Sequence, residues 1–395
     1  MFKSIIVSLL LNLSMILPLL GQNVGSQWIR KEGENIYIIS KLDSTADILY
    51  WFKKCMFNEL FTFYKVALID DRLCSPSTIS DSIPMTLLNW AYSDNIGPFD
   101  INGGGWCGGN HSYKNEIRTA RNVSYRVFIN GFELKHDTLA LSDNIKIIVK
   151  NDILNPVRAT EKEGISSLND IFCIESVTYE IIKNNIQVSV KHEYKNESPV
   201  IVRKYYGMQS MFENEVFILT ANGQYYDWTP ISKVSRFTKQ DYPYFRCFIE
   251  KNSIAYQSSY LLKDGLGNHA EVSDSDVVFI GNSYGKCYHK LISDQSRKYG
   301  DFDFWSGVYT WFRTPLKDND NILCYEGIIN GQDAIFVNCK RKGTLNITLP
   351  EKYKNRNFMI MEKIKGIDVR KRTSSIDIYS HDHGSCVILF ASNKF

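Results

Sequence analysis

Two short patterns in the chain hold the side chains needed to move protons on a sugar. They are His111-Ser112-Tyr113 and His192-Glu193-Tyr194. Residues i and i+2 of a strand point to one face, which makes each histidine the neighbour of its tyrosine. Histidine is the ordinary base near neutral pH, and a tyrosine hydroxyl donates a proton to a leaving oxygen. Asn110, or a cation such as Arg118 or Arg203, would hold a carboxylate and offset an enolate-like charge. These groups suit β-elimination on a uronic-acid polysaccharide. The base takes the C5 proton, the acid protonates the glycosidic oxygen, and the amide or guanidinium neutralises the carboxylate. Either pattern equally fits an ordinary run of strand residues.

The first pattern lies in residues 93–131, where six glycines fall between Gly97 and Gly109. Glycine lets the backbone turn tightly and approach a ligand closely. Trp106 supplies a flat apolar surface there, and Glu116 adds a polar group beside Arg118. The expectation is a glycine-shaped loop that carries a site at the edge of a sheet. Its rival is a structural loop whose glycines only satisfy turn geometry. Residues 200–209 (VIVRKYYGMQ) would place Arg203 and Tyr205 on one face if extended, as a sugar-contacting or a half-exposed strand.

Other chemistries have weaker sequence support. Glycoside hydrolysis needs two carboxylates in one cleft, roughly 5–10 Å apart. Asp94, Asp100, Glu116, Glu175, Asp227 and Glu326 are available, and the sequence does not pair them. Aromatic runs at 225–228 and 305–311 suit sugar stacking or a core. Gly281-Asn282-Ser283-Tyr284-Gly285 follows an apolar run and resembles the nucleophile block of SGNH-type esterases, with Asp301, Asp303, His381 and His383 downstream. The flanks lack the alternating strand and helix pattern of such hydrolases. A calcium loop starting at Asp318 fails, because its sixth and twelfth positions are Leu323 and Ile329. His381-Asp382-His383 reads as a solvated turn or a metal ligand pair. No cofactor or metal is expected.

The chain has 395 residues, 44% hydrophobic and 13% aromatic, with a formal net charge of +3. That supports a sizeable core and gives no basic stripe for nucleic acid. Residues 1–21 read as a secretory signal, with Lys3 before an apolar stretch and Gly21 at its end. The expected product is secreted or periplasmic, with no membrane span in the mature chain. Nine cysteines without a CxxC pattern point to buried thiols with at most a few bridges.

The pattern elsewhere is β. VSYRVFI at 123–129 alternates into an Asn130-Gly131 hairpin turn. Short runs follow at 145–150, 172–182, 186–194 and 199–206, then on to about residue 280, without long helical segments. Residues 46–66 fit helix or strand, and 294–309 read as a loop. Four short alternating runs after Gly343 suggest a small C-terminal β-domain. The expected fold is mainly β: a large antiparallel sandwich at 22–340 and a capping sheet or domain at 341–395.

On the runs GGNHSY, VKHEY and RKYYGMQ and the β-rich tail, the chain resembles secreted carbohydrate-active proteins with a galactose-mutarotase-like supersandwich. Several polysaccharide lyases share that architecture. The resemblance implies a glycan partner, with asparagine, histidine, tyrosine and arginine in the roles given above. A glycoside hydrolase and a non-catalytic glycan-binding protein are the alternatives.

Overall fold

The computed structural model describes residues 26–70, 79, 83–90, 96–114, 116–157, 168–212, 216–220, 225–228, 235–237, 247–251, 254–266, 278–280, 285–363, 366–382 and 384–391. The signal-like segment, Asp94, Ser283 and His383 lie outside them. Among the described residues nearly all the regular structure is strand, and every paired strand is antiparallel to its neighbour.

A ten-stranded sheet is the central layer. Its order is Phe132–Glu133, Ala120–Ile129, Ile145–Leu154, Ile171–Ile182, Asn185–Tyr194, Phe302–Phe312, Tyr256–Leu266, Cys247–Lys251, Val216–Thr220 and Tyr225–Trp228. Two six-stranded sheets pack on its inner face. One runs Thr138–Ser142, Gln27–Glu32, Asn35–Lys41, Ala46–Cys55, Leu60–Asp70 and Met85–Trp90. The other runs Ser235–Phe237, Val278–Ile280, Gly285–Arg297, Val200–Phe212, Phe99–Ile101 and Gly105–Cys107. One apolar core joins all three layers. Tyr50, Phe52 and Phe63 come from the first six-stranded sheet, Phe99, Tyr205 and Leu291 from the second, and Val149, Tyr179 and Trp305 from the central sheet.

The alternation that reads as β in the sequence sets these faces. In Ile171–Ile182, Cys173, Glu175, Val177, Tyr179 and Ile181 are buried while the residues between them are half-buried. Asn130 and Gly131 have φ of 47° and 89°, the left-handed pair that a two-residue hairpin turn requires. Residues 46–66, ambiguous by periodicity, contain the hairpin between Ala46–Cys55 and Leu60–Asp70. Burial on both faces of those strands explains their dense apolar texture. Residues 294–309 are not a loop. They belong to two long strands, because Trp305 and Tyr309 alternate into the core and the turn is confined to 298–301.

The C-terminal part is a smaller sandwich of a five-stranded and a three-stranded sheet. The five-stranded sheet takes Ile322–Ile329 and Gln332–Cys339 from before position 340, and Phe358–Lys363 and Gly384–Phe390 from after it. Its other face packs on the far half of the central sheet through Val308, Tyr260, Phe312, Tyr325 and Phe336. Seven described cysteines are buried. Among the described residues no helix is long and apolar enough to cross a membrane.

Candidate functional site

The glycine-rich loop is a hairpin on the edge of the second six-stranded sheet. Phe99 faces Cys107, Asp100 faces Trp106, and Ile101 faces Gly105. Strand alternation then separates two functions. Phe99 and Cys107 are fully buried in the core, while Trp106 and Asp100 point the other way. Asp100 also lies opposite Lys204 on the neighbouring strand, and its carboxylate accepts from Arg203 Nη2 at 3.0 Å. Arg203 keeps about half of its side chain in solvent.

An array of rings starts at Trp106 and crosses this outer face. The His111 ring lies 5.2 Å from Trp106 at 21° between planes. Tyr206 lies 5.9 Å from Trp106 at 19°, and its ring meets Tyr288 at 4.2 Å and 62°. Lys286 Nζ sits 5.4 Å from the Tyr288 ring centre. Trp106 and His111 are half-buried, while Tyr206 and Tyr288 are buried, so only the first two rings offer surface to a ligand. Aromatic surface flanked by a few fixed polar groups is the composition of a small-molecule or sugar site.

Gly97 permits the close approach that brings Tyr206 to the loop. A Cβ there would stand 1.3 Å from the Tyr206 carbonyl oxygen, and its φ is +107°. Asn58, in the turn of the 46–70 hairpin, holds the rest. Its Nδ2 donates to Gly109 O and His111 O at 2.8 and 2.7 Å, and its Oδ1 accepts from Thr119 N and Ala120 N. The Thr119 hydroxyl donates to His111 O and accepts from Gly108 N.

The other residues singled out in the sequence fall into three places. Asn110 uses its side-chain oxygen to accept from Phe57 N, and so fastens the loop. Arg118 forms an exposed ion pair with Glu59 at 2.8 Å, which holds the Glu59 carboxyl below its usual range. Glu116 is exposed. Tyr113 packs in a satellite apolar cluster with Ile117, Leu154 and Leu168. His111 thus faces the ring array, and its sequence partner Tyr113 does not.

His192 and Tyr194 share one face of their strand, and that face is the core. Both are 0% exposed. His192 Nε2 contacts Glu175 Oε2 at 3.0 Å, and Glu175 Oε1 accepts from Asn151 at 2.9 Å. Phe99 and Tyr205 stand edge-on to the imidazole at 4.9 and 4.8 Å. The Tyr194 hydroxyl donates to Asp303 at 2.5 Å, and Arg297 donates to both oxygens of that carboxylate at 2.9 Å. Burial, and then the Asp303 charge, push the Tyr194 pKa well above the ordinary phenol value. Tyr205 is buried between Ile96 O, to which it donates, and the Trp305 indole N–H. No glycan on the surface reaches these three side chains.

Asp100, Tyr206 and Tyr288 are the members of the array that the sequence reading did not single out as its site. The signal for Tyr206 lay in the Tyr205-Tyr206 doublet, since adjacent strand residues face opposite ways. Nothing in sequence brings Tyr288 beside it. Among the carboxylates considered for hydrolysis, Glu175 is buried against His192 and Asp100 is held by Arg203. Of the aromatic run 305–311, Trp305, Tyr309 and Trp311 are core residues. Among the described residues no cluster of His, Cys, Asp or Glu is arranged to hold a metal.

No protein-family model matches the chain, and no curated protein matches it. Solved structures similar to it include the galactosidase domain of an alpha-galactosidase-sucrose kinase. There the TM-score is 0.37, with 8% identity over 74% of this chain and 41% of that one. The GH36 alpha-galactosidase AgaB from Geobacillus stearothermophilus gives a TM-score of 0.36, with 11% identity over 75% and 41%. The GH36 alpha-galactosidase AgaA from the same organism gives 0.34, with 12% identity over 73% and 41%. The chain spans about two-fifths of the length of those proteins. Likeness at this level assigns no function, and the galactosidase activity is theirs.

Proposed function

We propose that this is an exported carbohydrate-active protein that holds a glycan on the outer face around Trp106. One observation carries the reading: the half-buried Trp106 and His111 rings, with the buried Tyr206 and Tyr288 rings continuing the array, lie beside the Arg203–Asp100 pair on one sheet face. Ring surfaces take the apolar faces of sugars, and a half-exposed guanidinium takes a carboxylate in two-point geometry. The favoured ligand is therefore a uronate-containing glycan.

A second reading is β-elimination at the same place. It rests on His111, the one histidine of the two patterns that faces the array. Its imidazole would remove the C5 proton while Arg203 neutralises the uronate carboxylate. Hydrolysis is the third outcome to separate from these two.

One experiment resolves them. The full chain is incubated with a panel of uronate polysaccharides while ultraviolet absorbance of the unsaturated uronate, new reducing ends and binding are all followed. Binding without turnover, weakened in Trp106→Ala, supports recognition alone. Unsaturated product lost in His111→Ala supports elimination. Reducing ends without unsaturation move the reading to hydrolysis. No binding by any glycan in the panel overturns the proposal.

A further inference from the structure

The central ten-stranded sheet has an outer face that the core does not use. Along Phe302–Phe312 the outward positions alternate with the buried ones. Val308 and Phe312 lie beneath the C-terminal sandwich. Phe302 and Phe304, further along the same face, are 65% and 40% exposed, and Tyr299 in the preceding turn is 67% exposed. Large rings left in water on one patch mark an interaction surface more often than a scatter of single ones does.

Register extends this patch across four more strands. Phe304 lies beside Lys191, then Ser176, Lys150 and Ser124. Phe302 lies beside Glu193, then Ile174, Asp152 and Arg121. The next outward row ends in Ile148 and Arg126. Three of the cations are matched by carboxylates on the same face: Lys191 with Glu193, Arg121 with Asp152, and Lys146 with Glu180. Lys150 and Arg126 are exposed and form no ion pair among the described residues. Glu133, in register with Phe128, adds an exposed carboxylate at that end, so the face combines exposed rings at one end with a small excess of positive charge, centred on Lys150 and Arg126, at the other. Three interstrand spacings separate Phe304 from Lys150, about 14 Å.

We infer that this face binds a linear polyanionic glycan whose chain crosses the strands. Phe302, Phe304 and Tyr299 take the apolar faces of its sugars, and Lys150 and Arg126 take its carboxylates or sulfates. The surface is separate from the Trp106 array. That array is on the outside of the opposing sheet, and the two layers meet through Phe99, Tyr205, His192 and Trp305. The inference rests on the proposed function only in taking a sugar polymer as the ligand.

The test uses the full chain and calorimetric titration with polygalacturonate, its methyl ester and chondroitin sulfate, at low and high salt. Binding to at least one polyanion that weakens with salt, with none to the ester, is expected. Lys150→Glu with Arg126→Glu, and separately Phe302→Ala with Phe304→Ser, should each weaken it about tenfold, or ~1.4 kcal/mol. The titrations and both double variants are made in a Trp106→Ala background, which removes the other array's share of uronate binding. The polyanion binding that remains reads this face alone, so failure here and failure at the Trp106 array are told apart. Bound polyanion should also protect Lys150 from acetylation in the unsubstituted protein, a readout that needs no variant to fold. The inference is overturned by unchanged binding in both double variants. It is equally overturned by no salt-sensitive binding to either polyanion.

Discussion

Asp303 ties the buried Arg297 and Tyr194 together. It receives two donors from Arg297 and one from Tyr194 in a site that water does not reach. Removing one partner of such a pair leaves the other charged and unsolvated. Asp303→Ala should therefore cost about 3–5 kcal/mol in denaturant unfolding. Tyr194→Phe removes one hydrogen bond and leaves the pair intact, which should cost only about 1–2 kcal/mol. A reversed order would show that the tyrosine, not the ion pair, organises this part of the core. The same logic explains why His192 and Tyr194 are poor candidates for work on a polymer. Sequence showed that they share a face, and burial decided which face it was.

At the scale of elements, the site depends on a turn that is distant in sequence. Asn58 satisfies four backbone groups of the 109–120 segment. Asn58→Ala strands those groups and should cost about 2–3 kcal/mol. It should also reduce glycan binding at the Trp106 array without touching that surface directly. Asn58→Asp, which keeps the acceptor and loses the donor, should fall between. Gly97→Ala meets the Tyr206 carbonyl in a left-handed backbone region and should destabilise more than a typical surface change, by at least ~2 kcal/mol. Matched melting of Gly97→Ala and the parent chain would show that the close approach is not required. Asn130-Gly131 and the alternation around it were legible in the sequence because turn chemistry and period-two burial are local. The 294–309 strands were not, since an Asp- and Gly-rich texture hid rings that only the opposing sheet makes into core.

For the whole molecule, the buried phenols set how stability responds to alkali. Tyr50, Tyr194 and Tyr205 have pKa values pushed well above the ordinary phenol, first by burial. The unfolded chain releases those protons near pH 10, where the folded chain still holds them. Their contribution is thus complete below about pH 10 and declines as pH rises further. Unfolding free energy should fall steeply above about pH 10, and Tyr194→Phe should make that fall shallower. An unchanged slope in Tyr194→Phe would mean that its phenol ionises in the folded protein as freely as in the unfolded one.

The sequence by itself determined the mainly β class, the hairpin turns, the alternation of faces and the glycine-shaped edge around Trp106. These follow from neighbouring residues, whose backbone preferences and side-chain period act over a few positions. Only the tertiary structure decided which face of each strand meets water. It put His192, Tyr194 and Tyr205 into the core, drew Tyr206 and Tyr288 beside Trp106, and left Phe302 and Phe304 bare. Those outcomes depend on pairing between strands far apart in the chain and on which layer covers them. A period of two gives two equivalent faces, and packing alone breaks that equivalence.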